Sequence, residues 1–357
     1  MLPTVSKKKL ALKAVVSLAF FSILISFVQG NELALMFAQI NWFYLLLSLI
    51  LSPVMIVISC FKWKMILDAG GGRIPFRTLF RIYLIGYFFS NILPSTVGGD
   101  VVRSYYAGKL IKDQAYSAVA IFIERFSGVF FLLFLVILAP LLFPSLYKSV
   151  YVFIPMVISL TLLVIIIWLA RAKAPFKIVN KIILLVLNLI NKILSSVGSQ
   201  KSEKWIAVIN SHHKKIMERF GKLHIKLVLA VKAIKKNNLL ILQLILITFL
   251  FYFLTMVNVT LAFLAFGVDH QFLHICALLP TISFVGQFPV TILGNLGFLE
   301  SVYVFYLMLI GISANASLAM GLLLRVKMLL MGVIGFFVYL AYKQETGDDA
   351  QKLPVSS

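Results

Sequence analysis

NILPSTVGGDVVR, the run from Asn91 to Arg103, puts Pro94, Gly98, Gly99, Asp100 and Arg103 inside sequence that is otherwise membrane-like. Proline removes a backbone donor, paired glycines weaken a helix further, and a carboxylate beside a guanidinium is costly in hydrocarbon. The segment is therefore expected to break at depth and to line a cavity, because irregular backbone survives in a bilayer only where protein or water meets it. The same device returns in FPVTILGNLGFLE, Phe288 to Glu300, where Pro289, Gly294 and Gly297 precede Glu300 within a long apolar run. Two Pro/Gly-interrupted apolar segments at corresponding places in two halves point to a transporter site near the bilayer midplane. The plainer alternative is a pair of kinked spanning helices, since transmembrane helices accept Pro and Gly more readily than soluble ones.

Composition fixes the broader class. With 61% hydrophobic residues, 13% charged residues and a mean hydropathy of +1.02, the chain is not a soluble globular domain. Its formal charge of +21 arises from 33 Lys and Arg against 12 Asp and Glu. The cations lie beside the apolar runs, so an anionic lipid surface explains them and no nucleic-acid partner is expected. Cys60 and Cys276 stand in apolar sequence and, on the topology below, near opposite faces, so neither a disulfide nor a metal site is expected, and no cofactor.

Charge placement sets the topology. Lys7, Lys8, Lys9 and Lys13 precede an apolar run to about Val28 that no small-residue cleavage site follows, which reads as an uncleaved helix with a cytoplasmic N-terminus. Trp42 to Phe61 returns and delivers Lys62, Lys64, Arg73, Arg77 and Arg81 to the cytoplasm. Ile82 to Tyr106 then carries the first broken motif between basic flanks, since Lys109 and Lys112 follow it. A re-entrant hairpin satisfies the positive-inside bias at both ends. Ala115 to Phe143 and Tyr151 to Ala170 complete the first half. Residues 171–236 are densely basic, with an amphipathic stretch from Phe176 to Val197 that suits a helix lying on an anionic leaflet. From Asn237 to Leu324 there is no Lys or Arg, so the second broken motif, within 278–310, is expected to enter from outside. Ser317 to Tyr342 spans last and a polar tail, 343–357, follows in the cytoplasm. The expected fold is an all-α polytopic membrane protein with six spanning helices and two opposed re-entrant hairpins, built as an inverted repeat of 1–170 and 237–342.

The embedded charges follow the same plan. Asp100 and Arg103 at the first hairpin precede Glu124 and Arg125 in the next helix, and Glu300 at the second precedes Arg325 and Lys327. Each costs about 2.5–3.5 kcal/mol or more at a helix centre if alone, so partners are required. The pairs expected are Arg103 with Glu124 and Glu300 with Arg325, which leaves Arg125 and Lys327 for an anion.

These motifs resemble a known family. LPSTVGGDVVRSYYAGK, then ERFSGVFFL from Glu124, then FPVTILGNLGFLE, are similar to the flippase-like transmembrane domain of lysylphosphatidylglycerol synthase, the multiple peptide resistance factor. Asn295 and Leu296 depart from that family's more glycine-rich second signature. The resemblance implies movement of a polar-headed lipid between leaflets. It also implies a soluble domain that transfers lysine from charged tRNA, and the chain stops shortly after its last helix, so that activity is not expected from this chain alone. Two functions follow: a lipid translocase whose Arg103, Arg125, Arg325 and Lys327 attract a phosphate, or a membrane-embedded transferase or accessory subunit with Glu124 as base. Membrane lipids, a separate cytoplasmic transferase and a second copy of the chain are the partners this reading allows.

Overall fold

The computed structural model describes residues 30–93, 97–171, 225–288, 290 and 295–351, and the described chain is helical with no strand. Ten α-helices follow in order: α1 Gly30–Ala38, α2 Trp42–Ala69, α3 Phe76–Ile92, α4 Gly98–Leu110, α5 Gln114–Leu138, α6 Val150–Arg171, α7 Asn238–Ala265, α8 Phe272–Gly286, α9 Phe298–Met308 and α10 Ala314–Gln351. Residues 225–235 are also helical. Among the described residues, five segments are long and apolar enough to cross a membrane: Trp42–Ala69, Gln114–Leu142, Val150–Leu169, Asn238–Ala265 and Ala314–Tyr342. They turn Leu46, Ile50, Phe134, Leu246 and Phe337 outward, as helices bathed in lipid do. The helix expected before Val28 and the amphipathic stretch Phe176 to Val197 lie outside the described residues.

Local signals decide where the helices begin. Asn41 and Asn237 cap α2 and α7 by accepting from the N–H groups of Phe43 and Leu240, and Asp113 caps α5 by accepting from Tyr116. Ser313 does the same for α10 through Ala316. Gly71 and Gly267 each adopt φ near the left-handed region, +84° and +66°, just after α2 and α7. The helices of 238–351 follow in the same order as those of 42–138, while α6 has no counterpart among the described residues. The 28-residue α2 corresponds to the 28-residue α7, α3 to α8, α4 to α9 and α5 to α10.

Packing obeys the same correspondence. α2 lies along α7, with Asn41 N–H donating to the Ala265 carbonyl and Ser48 bonded to Asn258, so the two equivalent helices run antiparallel. α3 packs on α10 while its counterpart α8 packs on α5, and α4 on α5 matches α9 on α10. One buried cluster gathers Trp63, Ile66, Ile82 and Ala120 of the first half, and another Phe263, Leu278, Tyr303 and Met320 of the second.

The first broken motif forms a tight helical hairpin. α3 and α4 approach until a β-carbon added at Gly99 would sit 2.1 Å from the Gly86 carbonyl oxygen, a distance no side chain tolerates. The loop before α3 meets the turn after α4 where Gly72 faces Ile111, and beside it Tyr116 of α5 donates to the Ile66 carbonyl of α2 at 2.7 Å. Both flanks of the hairpin therefore sit at one end of the bundle. Helix α3 starts at Phe76, so Arg77 and Arg81 belong to the hairpin arm and not to the preceding loop.

Candidate functional site

α4 and α5 converge on a four-membered charge cluster. Arg103, only 2% exposed, donates to Asp100 Oδ1 at 2.6 Å and to Glu124 Oε2 at 3.0 Å. Its guanidinium also lies over the rings of Trp63 and Tyr83, at 5.0 and 4.3 Å from their centres. Arg125 reaches back to the same Asp100, Nε to Oδ2 at 3.0 Å and an Nη to Oδ1 at 2.9 Å, a two-pronged pairing. The expected Arg103–Glu124 pair is present. Arg125 is not left over as expected: it grips Asp100 while 53% of its side chain stays open. Adjacent residues on a helix point about 100° apart, so Glu124 and Arg125 meet different partners.

The second half repeats the pairing with different surroundings. Arg325 Nε donates to Glu300 Oε1 at 2.8 Å, and these partners stand 25 residues apart, as Asp100 and Arg125 do. Glu300 also accepts from the Gly297 N–H at 2.8 Å, which ties it to the start of α9, and Gly297 has φ +81°. Lys327 donates to Ser48 Oγ at 2.6 Å and Asn258 Oδ1 at 2.8 Å, so its described partners are neutral. Pro94, Pro289 and Gly294 lie outside the described residues. Asn295 holds the backbone of the second break, donating to the carbonyls of Gly286 and Phe288.

A cavity of about 1280 Å³ joins the halves. Residues from both halves line it, and its charged groups are Lys62, Arg103, Arg125 and Lys327 against Asp100 and Glu124. Hydroxyls and amides from Ser90, Asn91, Tyr252 and Thr255 share the wall with apolar side chains. Glu300 and Arg325 sit behind this wall, at 1% and 7% exposure, and do not line it. Lys62 departs from the expectation that it lies in a cytoplasmic loop. It stands within α2, buried; the helix continues through Lys64 and Asp68, which are bonded at 2.7 Å, and ends only at Gly70. That i,i+4 pair and the Gly70–Gly71–Gly72 stop are the sequence signals that place it inside the helix.

Five segments long and apolar enough to cross a membrane, with a cavity lined from both halves, define an integral membrane protein. The chain belongs to the family described as lysylphosphatidylglycerol synthase TM region, whose pattern matches residues 10–335. A UPF0104 membrane protein of Methanothermobacter thermautotrophicus is 24% identical over 324 residues, covering 88% of this chain and 89% of the relative. Another, from Methanocaldococcus jannaschii, is 29% identical over 128 residues, covering 34% of this chain and spanning only 38% of the relative's length. No solved structure matches the chain.

Proposed function

We propose that the chain carries an anionic, phosphate-containing lipid headgroup between the two leaflets. The observation that supports this most directly is the charge of the shared cavity, four cationic side chains against two carboxylates, set in membrane-embedded helices. An oxyanion entering there gains charge-assisted hydrogen bonds from groups that already stand in place, so little ordering is needed at binding. The acyl chains need no protein site, because the outer faces of the helices already meet lipid.

In this reading six helices span, the first of them before residue 29, and α3–α4 and α8–α9 are re-entrant hairpins that enter from opposite faces. Both termini are cytoplasmic, and the basic stretch 171–236 rests on the anionic inner leaflet. The antiparallel run of α2 and α7 supports opposed halves. No observation favours a transferase: Glu124, the buried base considered for one, already accepts from Arg103.

The test is reconstitution into liposomes with fluorescent phosphatidylglycerol or phosphatidylcholine in both leaflets, reading how much label an impermeant quencher reaches. Wild-type protein is expected to expose inner-leaflet phosphatidylglycerol that empty liposomes protect, and Arg125→Ala to lose most of that effect. Equal protection with and without protein, across both lipids, rejects the proposal.

A further inference from the structure

The two halves of the site are equivalent in plan and unlike in state. Asp100 and Arg125 correspond to Glu300 and Arg325, yet the Arg125 side chain lines the cavity and is 53% exposed, while that of Arg325 does not line it and is 7% exposed. The lysines are both buried and both line the cavity, and they differ in their partners. Lys62 on α2 occupies the position that Asn258 holds on α7, and Ser127 on α5 the position that Lys327 holds on α10. Each half therefore has one lysine at this contact, placed on opposite partners. Lys327 is engaged by Ser48 and Asn258.

Lys62 is 6% exposed, lines the cavity, and forms no hydrogen bond or ion pair with any described residue. A β-carbon at Gly128 would stand 4.0 Å from its Nζ, an ordinary contact, so the ammonium ends beside the Gly128 backbone. Glu124 attracts it and Arg125 repels it from a distance, and the Glu124 carboxylate is already bonded to Arg103. A buried ammonium so placed needs an anion or several dipoles.

Resting on the translocase reading, we infer that Lys62, beside Arg125, is the group that receives the phosphate oxyanion in the open half, and that Lys327 is its counterpart in the closed half. The ligand chemistry is a phosphate oxyanion, which a phosphodiester lipid headgroup and free inorganic phosphate both present. When the halves exchange arrangements, Lys62 gains partners and Lys327 loses its two neutral ones. The oxyanion thereby has a cation to meet on each side of the exchange.

The experiment is binding to detergent-purified full-length protein, with dioctanoyl phosphatidylglycerol, dioctanoyl phosphatidylcholine and inorganic phosphate as probes, together with thermal melting. Lys62→Gln is expected to weaken phosphatidylglycerol binding about tenfold or more, the loss of a charge-assisted hydrogen bond, and Lys62→Arg to stay within about threefold of wild type. Lys62→Gln is also expected to melt at or above wild type, since it removes an uncompensated buried charge. If Lys62→Gln melts well below wild type, the lysine is part of the scaffold and the assignment falls. Unchanged phosphatidylglycerol binding by Lys62→Gln overturns the inference and leaves the translocase reading standing. A wild type that binds none of the probes overturns the reading beneath it. Binding of inorganic phosphate but of neither lipid, lost in Lys62→Gln, supports Lys62 as the oxyanion receiver and overturns the lipid as its source.

Discussion

Replacing Arg103 by alanine orphans one carboxylate and spares the other. Asp100 keeps both bonds to Arg125, whereas Glu124, whose side chain is 7% exposed, loses the cation that holds it at 3.0 Å. Removing one partner of a buried ion pair costs about 3–5 kcal/mol. Lys62 acts on Glu124 from a distance and softens that loss, while the vacated space between Trp63 and Tyr83 adds to it. The net expectation is a fall of roughly 3–4 kcal/mol, read as a melting temperature lower by about 5–10 °C for a chain of this size. Combining Arg103→Ala with Glu124→Gln is expected to restore more than half of the difference, because the orphaned charge is gone. Combining it with Asp100→Asn is expected to restore nothing, because Asp100 was never orphaned. Thermal unfolding of the detergent-purified single and double variants measures all three. If Arg103→Ala melts with wild type, or if Asp100→Asn rescues as well as Glu124→Gln, the two carboxylates are not divided between the two arginines in this way.

The hairpin makes a steric prediction: Gly99→Leu has to separate α3 from α4, so a loss of about 1–3 kcal/mol or outright misfolding is expected, measured by yield and melting. Cysteines introduced as Pro75→Cys and Leu110→Cys, in a background lacking Cys60 and Cys276, should label from the same side of the membrane; labelling from opposite sides rejects the re-entrant reading. At the Asp113 carboxyl, burial acts to raise the affinity for a proton, but the 2.6 Å bond from Lys226 and the Tyr116 N–H outweigh it and hold it below the usual carboxylate range. A depressed folded value means the tie between α5 and 225–235 is present above the unfolded value near 3.9 and lost as pH falls through the folded one. Hydrogen exchange across 225–235 should accelerate only in that acid window for wild type, and already at neutral pH for Asp113→Asn.

Class and broken segments were legible because hydrocarbon imposes a strict rule: a proline, paired glycines and charges cannot stand in an apolar run without a structural purpose. The same rule pairs Arg103 with Glu124 and Glu300 with Arg325, since a buried charge has to find a partner within reach. What it does not decide is which of two adjacent cations takes which carboxylate. Arg125 grips Asp100 where α5 packs on α4, and that choice of partner is a property of packing that no spacing in the chain reports. Lys62 is hard to place for a related reason. The first lysine after an apolar run looks like the start of a loop, although a helix can bury a lysine wherever a cavity opens beside it. The matching helix caps at Asn41 and Asn237 emerge only in the folded chain.

Because α3 finds its main partner in α10, the hairpin made early in synthesis waits for a helix about 200 residues further along the chain. At about 5–20 residues per second, roughly 10–40 s separate the emergence of α4 from that of α10. Through that interval the Asp100, Arg103 and Arg125 cluster must be sheltered by α2 and α5 alone, or by the insertion machinery. Neither half is therefore expected to be a self-sufficient folding unit, and a chain truncated before Ala314 should be cleared by membrane quality control before it reaches a stable form.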